Sequence, residues 1–387
     1  MSQRLLVYTD DSDRGGVAQY NHCIAMGLVA RGYAVTVVQS ESRRWMATAQ
    51  AAAGVAHRWI SYDTGKEFMR TITDTGDAER ALAEAKPELV IFSDCCPVSN
   101  TAAKHVAVKL GLPYIIVENF VGAYLAERFK NCLPILAKQY QFAKAVVAVS
   151  TENLGLLHQH FRLPADKGTI IYYGASEKFF AARNESARKE IRDHLGIADD
   201  SVVCITPARL DPIKGHVYQL YALNLLQKQN RTGRLVCLWV GEGDLRAALA
   251  TEIAKLSLGR NVIFAGHQPD MERWYDAADL FALTSTAEGM PITIMEAMAK
   301  GLPVIGTAVS GIPEEIGADG ILLPSPLQDP GGVVVQLAEA WEKLAKAPAM
   351  RSALSQQSRL RAARLFREEI MVGKTIDLVQ GVLAGTR

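Results

Sequence analysis

The sequence predicts two doubly wound α/β domains in tandem, and three observations carry that reading. The chain has 387 residues, more than one hydrophobic core usually serves, so two domains are expected. Short apolar, β-branched runs alternate with longer segments of helical period. That alternation occurs twice, with a polar stretch between the two series.

In the first series, Leu5–Tyr8, Val35–Val38, Leu89–Phe92, Tyr114–Val117 and Ala145–Val149 read as buried parallel strands, because each is apolar throughout. Helical stretches lie between them, including Val17–Arg31 and Asn100–Leu110. The apolar rhythm lapses from Tyr173-Gly174 to Glu185, ahead of a helix at Ser186–Leu195. The domains are therefore divided after Lys178, into residues 1–178 and 179–367. The second series has strands at Val202–Thr206, Leu235–Val240, Val262–Ala265, Leu280–Leu283 and Val304–Gly306. Helices intervene at His216–Gln229, Leu245–Leu256 and Pro291–Lys300. Three helical segments follow Gly331, and the terminal one, within residues 368–387, is a candidate to return to the first domain. Right-handed crossovers place the strand C-termini, and their loops, along one edge of each sheet. A ligand is expected where those edges face each other across a cleft.

Composition narrows the function. A net charge of +1, balanced in both halves, gives no basic field for nucleic acid. No window approaches the roughly 20 apolar residues of a membrane span. The N-terminus enters a strand-like segment directly, without the pattern of a signal peptide. Cys23, Cys95, Cys96, Cys132, Cys204 and Cys237 are scattered, with neither redox nor zinc spacing. A cytoplasmic protein is expected, in which the sequons at Asn184 and Asn230 go unused. Oligomeric state leaves no mark on the sequence.

Four segments carry chemistry. Asp10-Asp11-Ser-Asp13-Arg14-Gly15-Gly16 forms a polar turn between a strand and a helix. Paired glycines admit close approach of a ligand, and the helix N-terminus offers N–H groups to an anion. A plain strand-to-helix turn is the competing reading, and the aspartates read as a solvated loop rather than a metal site. Gly241-Glu-Gly243-Asp-Leu-Arg246 also opens a helix after a strand, but Arg246 stands where a dinucleotide loop has a small residue. Its glycines serve the turn or line the cleft.

Arg209-Leu-Asp-Pro-Ile-Lys214-Gly215 follows a strand at the ligand-binding edge. A guanidinium fork and a mobile ammonium in one loop suit a diphosphate; two surface cations are the alternative. In Thr284-Ser-Thr-Ala-Glu288-Gly289-Met290-Pro291-Ile-Thr-Ile-Met-Glu296, Pro291 suits the first helical position. The helix would then aim its amides and positive dipole end at a ligand. Glu288 and Glu296 frame its entrance, and each carboxylate suits paired sugar hydroxyls. Glu296 in an apolar helix is costly to bury without such partners.

These residues, with Gly266-His267-Gln-Pro-Asp270, Ala278-Asp279-Leu-Phe-Ala-Leu-Thr-Ser285, Gly301-Leu-Pro-Val-Ile and Gly311-Ile-Pro-Glu314, resemble the retaining family-four glycosyltransferases of GT-B fold. The resemblance is dense from Pro207 to Glu314 and looser before it. It implies two Rossmann-like domains facing across a cleft, a nucleotide-diphosphate sugar as donor, and a sugar, lipid or small-molecule acceptor. It implies no cofactor and no metal. Arg209 and Lys214 would bind the diphosphate and Glu296 the ribose hydroxyls. Glu288, with the backbone of Gly289, Met290 and Pro291, would position the donor sugar. Gly266-His267 would line the base pocket, and Gly16 would let the backbone of the first domain touch phosphate.

One departure stands out. Many relatives carry a His just after the strand that here ends at Val117, where this chain has Glu118-Asn119-Phe120. Glu118 and Asn119 are therefore candidates on the sugar or acceptor side, with a partly buried loop carboxylate as the alternative for Glu118. Tyr124–Lys144 mixes Arg128, Lys130, Lys138 and Lys144 with apolar residues. It reads as an amphipathic helix, either packed in the ordinary way or facing a membrane surface. Two further functional readings remain at this level. A nicotinamide-dependent oxidoreductase would need the spaced glycine fingerprint that is missing; a binding protein without turnover would keep the donor residues.

Overall fold

The chain, seen in a computed structural model that describes residues 2–11, 15–40 and 46–385, divides into two units. One comprises Met1–Tyr173 with Glu368–Arg387, the other Gly174–Arg367. The first unit holds β1 (Arg4–Thr9), β2 (Ala34–Ser40), β3 (Ala56–Ile60), β4 (Leu89–Asp94), β5 (Tyr114–Glu118), β6 (Ala145–Ala148) and β7 (Thr169–Ile170). They pair in the order β3-β2-β1-β4-β5-β6-β7, every pair parallel. The second unit holds β8 (Val202–Pro207), β9 (Leu235–Val240), β10 (Val262–Gly266), β11 (Leu280–Leu283), β12 (Val304–Thr307) and β13 (Ile321–Leu323). Their order is β10-β9-β8-β11-β12-β13, again parallel throughout. Each sheet reverses its winding once, between β1 and β4 and between β8 and β11. Beyond the strand C-termini at such switch points is where doubly wound sheets take ligands.

Helices cover both faces, so the central strands are buried along their length: every residue of β4 and of β9 is buried. Leu6, Phe92, Tyr114, Leu136, Tyr140 and Phe161 fill the first core. Trp239, Leu223, Ile305 and Trp341 fill the second. A large apolar side chain fully buried in this way contributes about 1.5–3 kcal/mol. The two buried indoles also find acceptors, Trp239 at Gln219 Oε1 (2.8 Å) and Trp341 at Cys204 Sγ (3.3 Å).

The last helix, Glu368–Gly385, belongs to the first unit. It packs on the helix Gly16–Ala30, where a Cβ at Gly27 would come within 2.3 Å of Val372 Cγ1. Any larger residue there would force Val372 to shift. The division falls at Tyr173/Gly174 rather than after Lys178, because the residues that follow pack into the second unit. Phe179 stacks edge-on against Tyr275 at 5.8 Å, and Lys178 pairs with Glu272 at 2.9 Å.

Two further expectations are corrected. Tyr124–Lys144 is not one helix but two, Ala123–Arg128 and Leu133–Phe142, joined by a 3-10 turn at Lys130–Cys132. Pro134, which cannot continue a helix from the preceding residues, stands in the first turn of the second. Pro291 is not the first helical residue: with ψ at 109° it caps the helix Ile292–Ala299 from outside. Among the described residues, no helix is long and apolar enough to cross a membrane.

Candidate functional site

The geometry of the second unit is set by where β8 and β11 end. The loop after β8 carries Arg209 and Lys214; the loop after β11 carries Glu288. Gly215 joins them. Its φ of +65° is left-handed, and a Cβ there would fall 2.0 Å from the Thr284 carbonyl oxygen. Thr284 Oγ1 donates to the Gly215 carbonyl at 2.9 Å, and the Thr286 amide to that of Ile213 at 2.8 Å. Asp211 adds a local brace by accepting the Lys214 amide on Oδ1 at 3.1 Å.

The result places the Lys214 ammonium 2.6 Å from Glu288 Oε1. Ser285 Oγ donates to the same oxygen at 2.6 Å. Ser310 Oγ accepts the Glu288 amide at 3.0 Å, and the Gly311 amide reaches the Gly289 carbonyl at 3.0 Å. Glu288 is thus fixed by both backbone and side chain. Its side chain retains 9 % exposure and that of Lys214 18 %, so the pair is open on one side. Glu288 Oε2 receives no hydrogen bond among the described residues.

Four residues after Glu288, the helix Ile292–Ala299 begins. Pro291 brings no N–H, so the donors at this tip are the amides of Gly289, Met290 and the first turn. Glu296 is buried on the helix and accepts the Tyr275 hydroxyl on Oε2 at 2.8 Å. That bond supplies part of the compensation a carboxylate in an apolar helix requires. Glu315 is fully buried, and among the described residues neither of its oxygens has a hydrogen-bond partner. Burial, reinforced by the charge of Glu288, holds its carboxyl well above the usual range.

The remaining donor-side candidates divide. Arg209 is exposed (59 % at the side chain) and directed to Asp211 at 3.2 Å, rather than to Glu288. Gly241 and Gly243 answer a steric need inside the unit: a Cβ at either would fall 2.2 Å from Ala208 O or 2.5 Å from Leu210 O. They let the β9 loop lie against the Arg209 loop, and the Leu210 amide bonds the Glu242 carbonyl at 3.0 Å. His267 is exposed in the loop after β10.

In the first unit, Gly15 precedes the helix Gly16–Ala30 without a side-chain cap. Among the described residues, a Cβ there would meet nothing within 4 Å. Asp13, one of the three aspartates of this loop, lies outside the described residues. Asp10 is consumed by structure: its Oδ1 accepts the Cys95 amide at 2.9 Å and Asn100 Nδ2 at 3.0 Å. Asn100 also donates to Asp94 Oδ1 at 2.8 Å, and Lys104 to Asp94 Oδ2 at 2.6 Å. Glu118 is the last residue of β5, not a loop residue, and is fully buried. Tyr140 donates to its Oε1 at 2.7 Å, while Oε2 has no partner among the described residues. Asn119 bonds Ser93 Oγ and the Asp94 carbonyl, each at 3.0 Å, and accepts the Tyr173 hydroxyl. Sealed in this way, neither side chain is presented to a ligand in this structure.

Sequence reasoning missed Ser285, Tyr275 and Asp211. Ser285 stands three residues before Glu288 in one loop, close enough in sequence for its hydroxyl to reach the carboxylate. Tyr275 reaches Glu296 only through the packing of two helices and left no local trace.

Comparison with known proteins places these features in a lineage. Residues 187–361 match the family model described as glycosyl transferases group 1, and residues 14–178 that of glycosyltransferase family 4. An uncharacterized glycosyltransferase of Methanocaldococcus jannaschii is 29 % identical over 46 % of this chain and 43 % of its own length. The alpha-D-kanosaminyltransferase of Streptomyces kanamyceticus is 26 % identical over 64 % of this chain and 65 % of its own. The chain thus aligns with less than two thirds of either relative. The Anabaena protein HepE, crystallised with UDP, superposes over 98 % of this chain and 100 % of its own with a TM-score of 0.81 at 19 % identity. With two consecutive matching models and the same fold, the chain belongs to the family-four glycosyltransferases of GT-B fold.

Proposed function

We propose that the protein is a retaining glycosyltransferase, moving a sugar from a nucleoside-diphosphate sugar to an acceptor hydroxyl without a metal or other cofactor. The observation that carries this reading is the Lys214–Glu288 pair, 2.6 Å apart and open on one side, next to the amide-rich tip of a helix. An ammonium and a helix N-terminus attract a diphosphate; a fixed carboxylate accepts sugar hydroxyls.

Lys214, with two further N–H bonds to give, neutralises the diphosphate while holding Glu288. Arg209, on the same loop and exposed, turns from Asp211 onto phosphate oxygens. Glu288, with the Gly289 and Met290 amides, orients the donor sugar, and Glu296, steadied by Tyr275, takes the ribose hydroxyls. His267 borders the base, and Gly15-Gly16 admits phosphate against the first helix. The bond from C1 to the diphosphate breaks, and the acceptor oxygen bonds C1 on the same face. The acceptor's proton passes to the departing phosphate oxygen. Charge growing on that oxygen is what preorganised cations stabilise, and protein cations do this without a metal.

The UDP and UDP-glucose complexes of the Anabaena protein support a uridine donor. The acceptor belongs to the class of sugars, lipids or small molecules bearing a free hydroxyl. The test is nucleotide release from UDP-glucose and other nucleoside-diphosphate sugars, with NMR of the anomeric centre formed. Retention of configuration, and turnover unchanged by EDTA, are expected. Saturating donor at 100 times its dissociation constant stabilises the fold by about 2.7 kcal/mol. An inverted product ends the retaining mechanism. Absence of both turnover and thermal stabilisation across the donor panel ends the whole reading.

A further inference from the structure

The first unit carries an exposed face that no donor chemistry uses. The helix Leu133–Phe142 packs on the helix Thr101–Lys109. Its inner side is pinned: Gln139 Nε2 donates to the Thr101 carbonyl at 2.8 Å, and Tyr114 Oη to the Gln139 carbonyl at 2.6 Å. The outer side presents Ile135, Lys138 and Phe142, spaced three and four residues apart, with Ile135 46 % and Phe142 52 % exposed. The preceding helix buries Leu125 and Ala126 and exposes Arg128 and Tyr124, the latter at 61 %. Lys130 and Lys144 are exposed as well. The one exposed acid of this stretch, Glu127, is paired with Lys130 at 3.3 Å. Lys138 and Lys144 have no ion-pair partner among the described residues.

A cavity of 670 Å³ continues this face. Gln3, Glu88, Pro113 and Lys144, each immediately before a strand, line it. It therefore lies at the N-terminal edge of the sheet, opposite the edge where doubly wound domains take substrates. Phe142 and Lys144 belong to both the cavity and the face, and Val108 and Leu112 give the cavity apolar walls.

Large apolar side chains interleaved with lysine and arginine are the composition of a surface lying in a lipid headgroup layer. Tyrosine favours that layer too. Protein interfaces are instead depleted in lysine. We propose that the exposed face of residues 123–144, extended by this cavity, seats the protein on a bilayer surface containing anionic lipid.

Flotation with vesicles of phosphatidylcholine, pure or mixed with phosphatidylglycerol, tests this without any sugar donor, so failure of the transferase reading leaves the result intact. Recovery with the mixed vesicles only, weakened by added salt, is expected. Each cation near an anionic surface changes partitioning roughly fivefold, so Lys138→Glu with Lys144→Glu should lower recovery by more than about twentyfold. Phe142→Ser should lower it roughly tenfold. All three side chains are exposed, so both variants should melt as the wild type does. A face reserved for an acidic protein gives no flotation with any vesicle, and that result overturns the proposal. So does equal flotation of the charge-reversed variant, or equal binding to pure phosphatidylcholine.

Discussion

Each sheet carries a lysine–carboxylate pair at the C-terminal ends of its strands, and the two pairs are used differently. Beyond β4, Lys104 stands 2.6 Å from Asp94 with both side chains 0 % exposed. Beyond β8 and β11, Lys214 stands 2.6 Å from Glu288 with 18 % and 9 % exposure. The first pair is closed by Asn100 and the Pro97 carbonyl. The second leaves part of both side chains accessible. Equal geometry with unequal burial separates a pair that holds the chain in place from one that can exchange its partner for a ligand.

That contrast is easiest to break at the lysines. Lys104→Met leaves Asp10, Asp94 and Glu118 buried together without a cation. Unmaking a buried pair from one side costs about 3–5 kcal/mol, which a urea titration would read as a lower midpoint. Lys214→Met removes a partly exposed charge and should cost about 1 kcal/mol or less in the same titration. Its effect belongs in turnover, which should fall roughly 100- to 1,000-fold, as when one preorganised charge donor is lost. If Lys104→Met proves harmless, or Lys214→Met unfolds the protein, the distinction fails.

Protonation sharpens it further. His216 follows Gly215, is 1 % exposed, and packs edge-on against Trp239 at 4.8 Å. Neither ring nitrogen has a hydrogen-bond partner among the described residues. Burial, aided by the Lys214 charge, pushes its pKa from 6.5 down to about 4. The unfolded chain therefore takes up a proton before the native one does. The native advantage is complete above pH 6.5 and declines as pH falls towards 4, by about 3 kcal/mol in all. His216→Phe should flatten this acid limb in melting curves recorded across that range; an unchanged slope would show that the imidazole titrates freely.

How much of this was legible depends on whether neighbours in space were neighbours in sequence. The central strands announced themselves as unbroken apolar runs. The strands left unread, β3, β7 and β13, all lie towards sheet edges. Ala56–Ile60 contains His57, Arg58 and only one buried residue, Thr169–Ile170 is two residues long, and Ile321–Leu323 is three. An edge strand buries little, so its sequence carries little of the signal on which periodicity depends. Lys214 and Glu288 were readable because each stands in a local motif beside a strand end. The Asp94–Lys104–Glu118–Tyr140 network was not, since its members come from two strands and two helices and resemble ordinary surface residues until the fold assembles them. The split of residues 123–142 was signalled by Pro134 and overridden by the apparent amphipathic period.

The smallest effect is expected at Glu118, and it decides whether the sealed cluster touches chemistry. Burial raises the Glu118 carboxyl above its usual range; Lys104 and the Tyr140 hydroxyl oppose the shift, and Asp10 adds to it. An acid whose native pKa is raised binds its proton more tightly folded than unfolded. The stability it contributes is thus present at low pH and lost as pH rises through the native value. Glu118→Gln keeps an acceptor for Tyr140 and cannot ionise. It should match the wild type in acid within about 1 kcal/mol, then lose less stability as the pH is raised, with turnover unchanged throughout. A fall in kcat at unaltered melting temperature would place the carboxylate against substrate, in the position where relatives carry histidine.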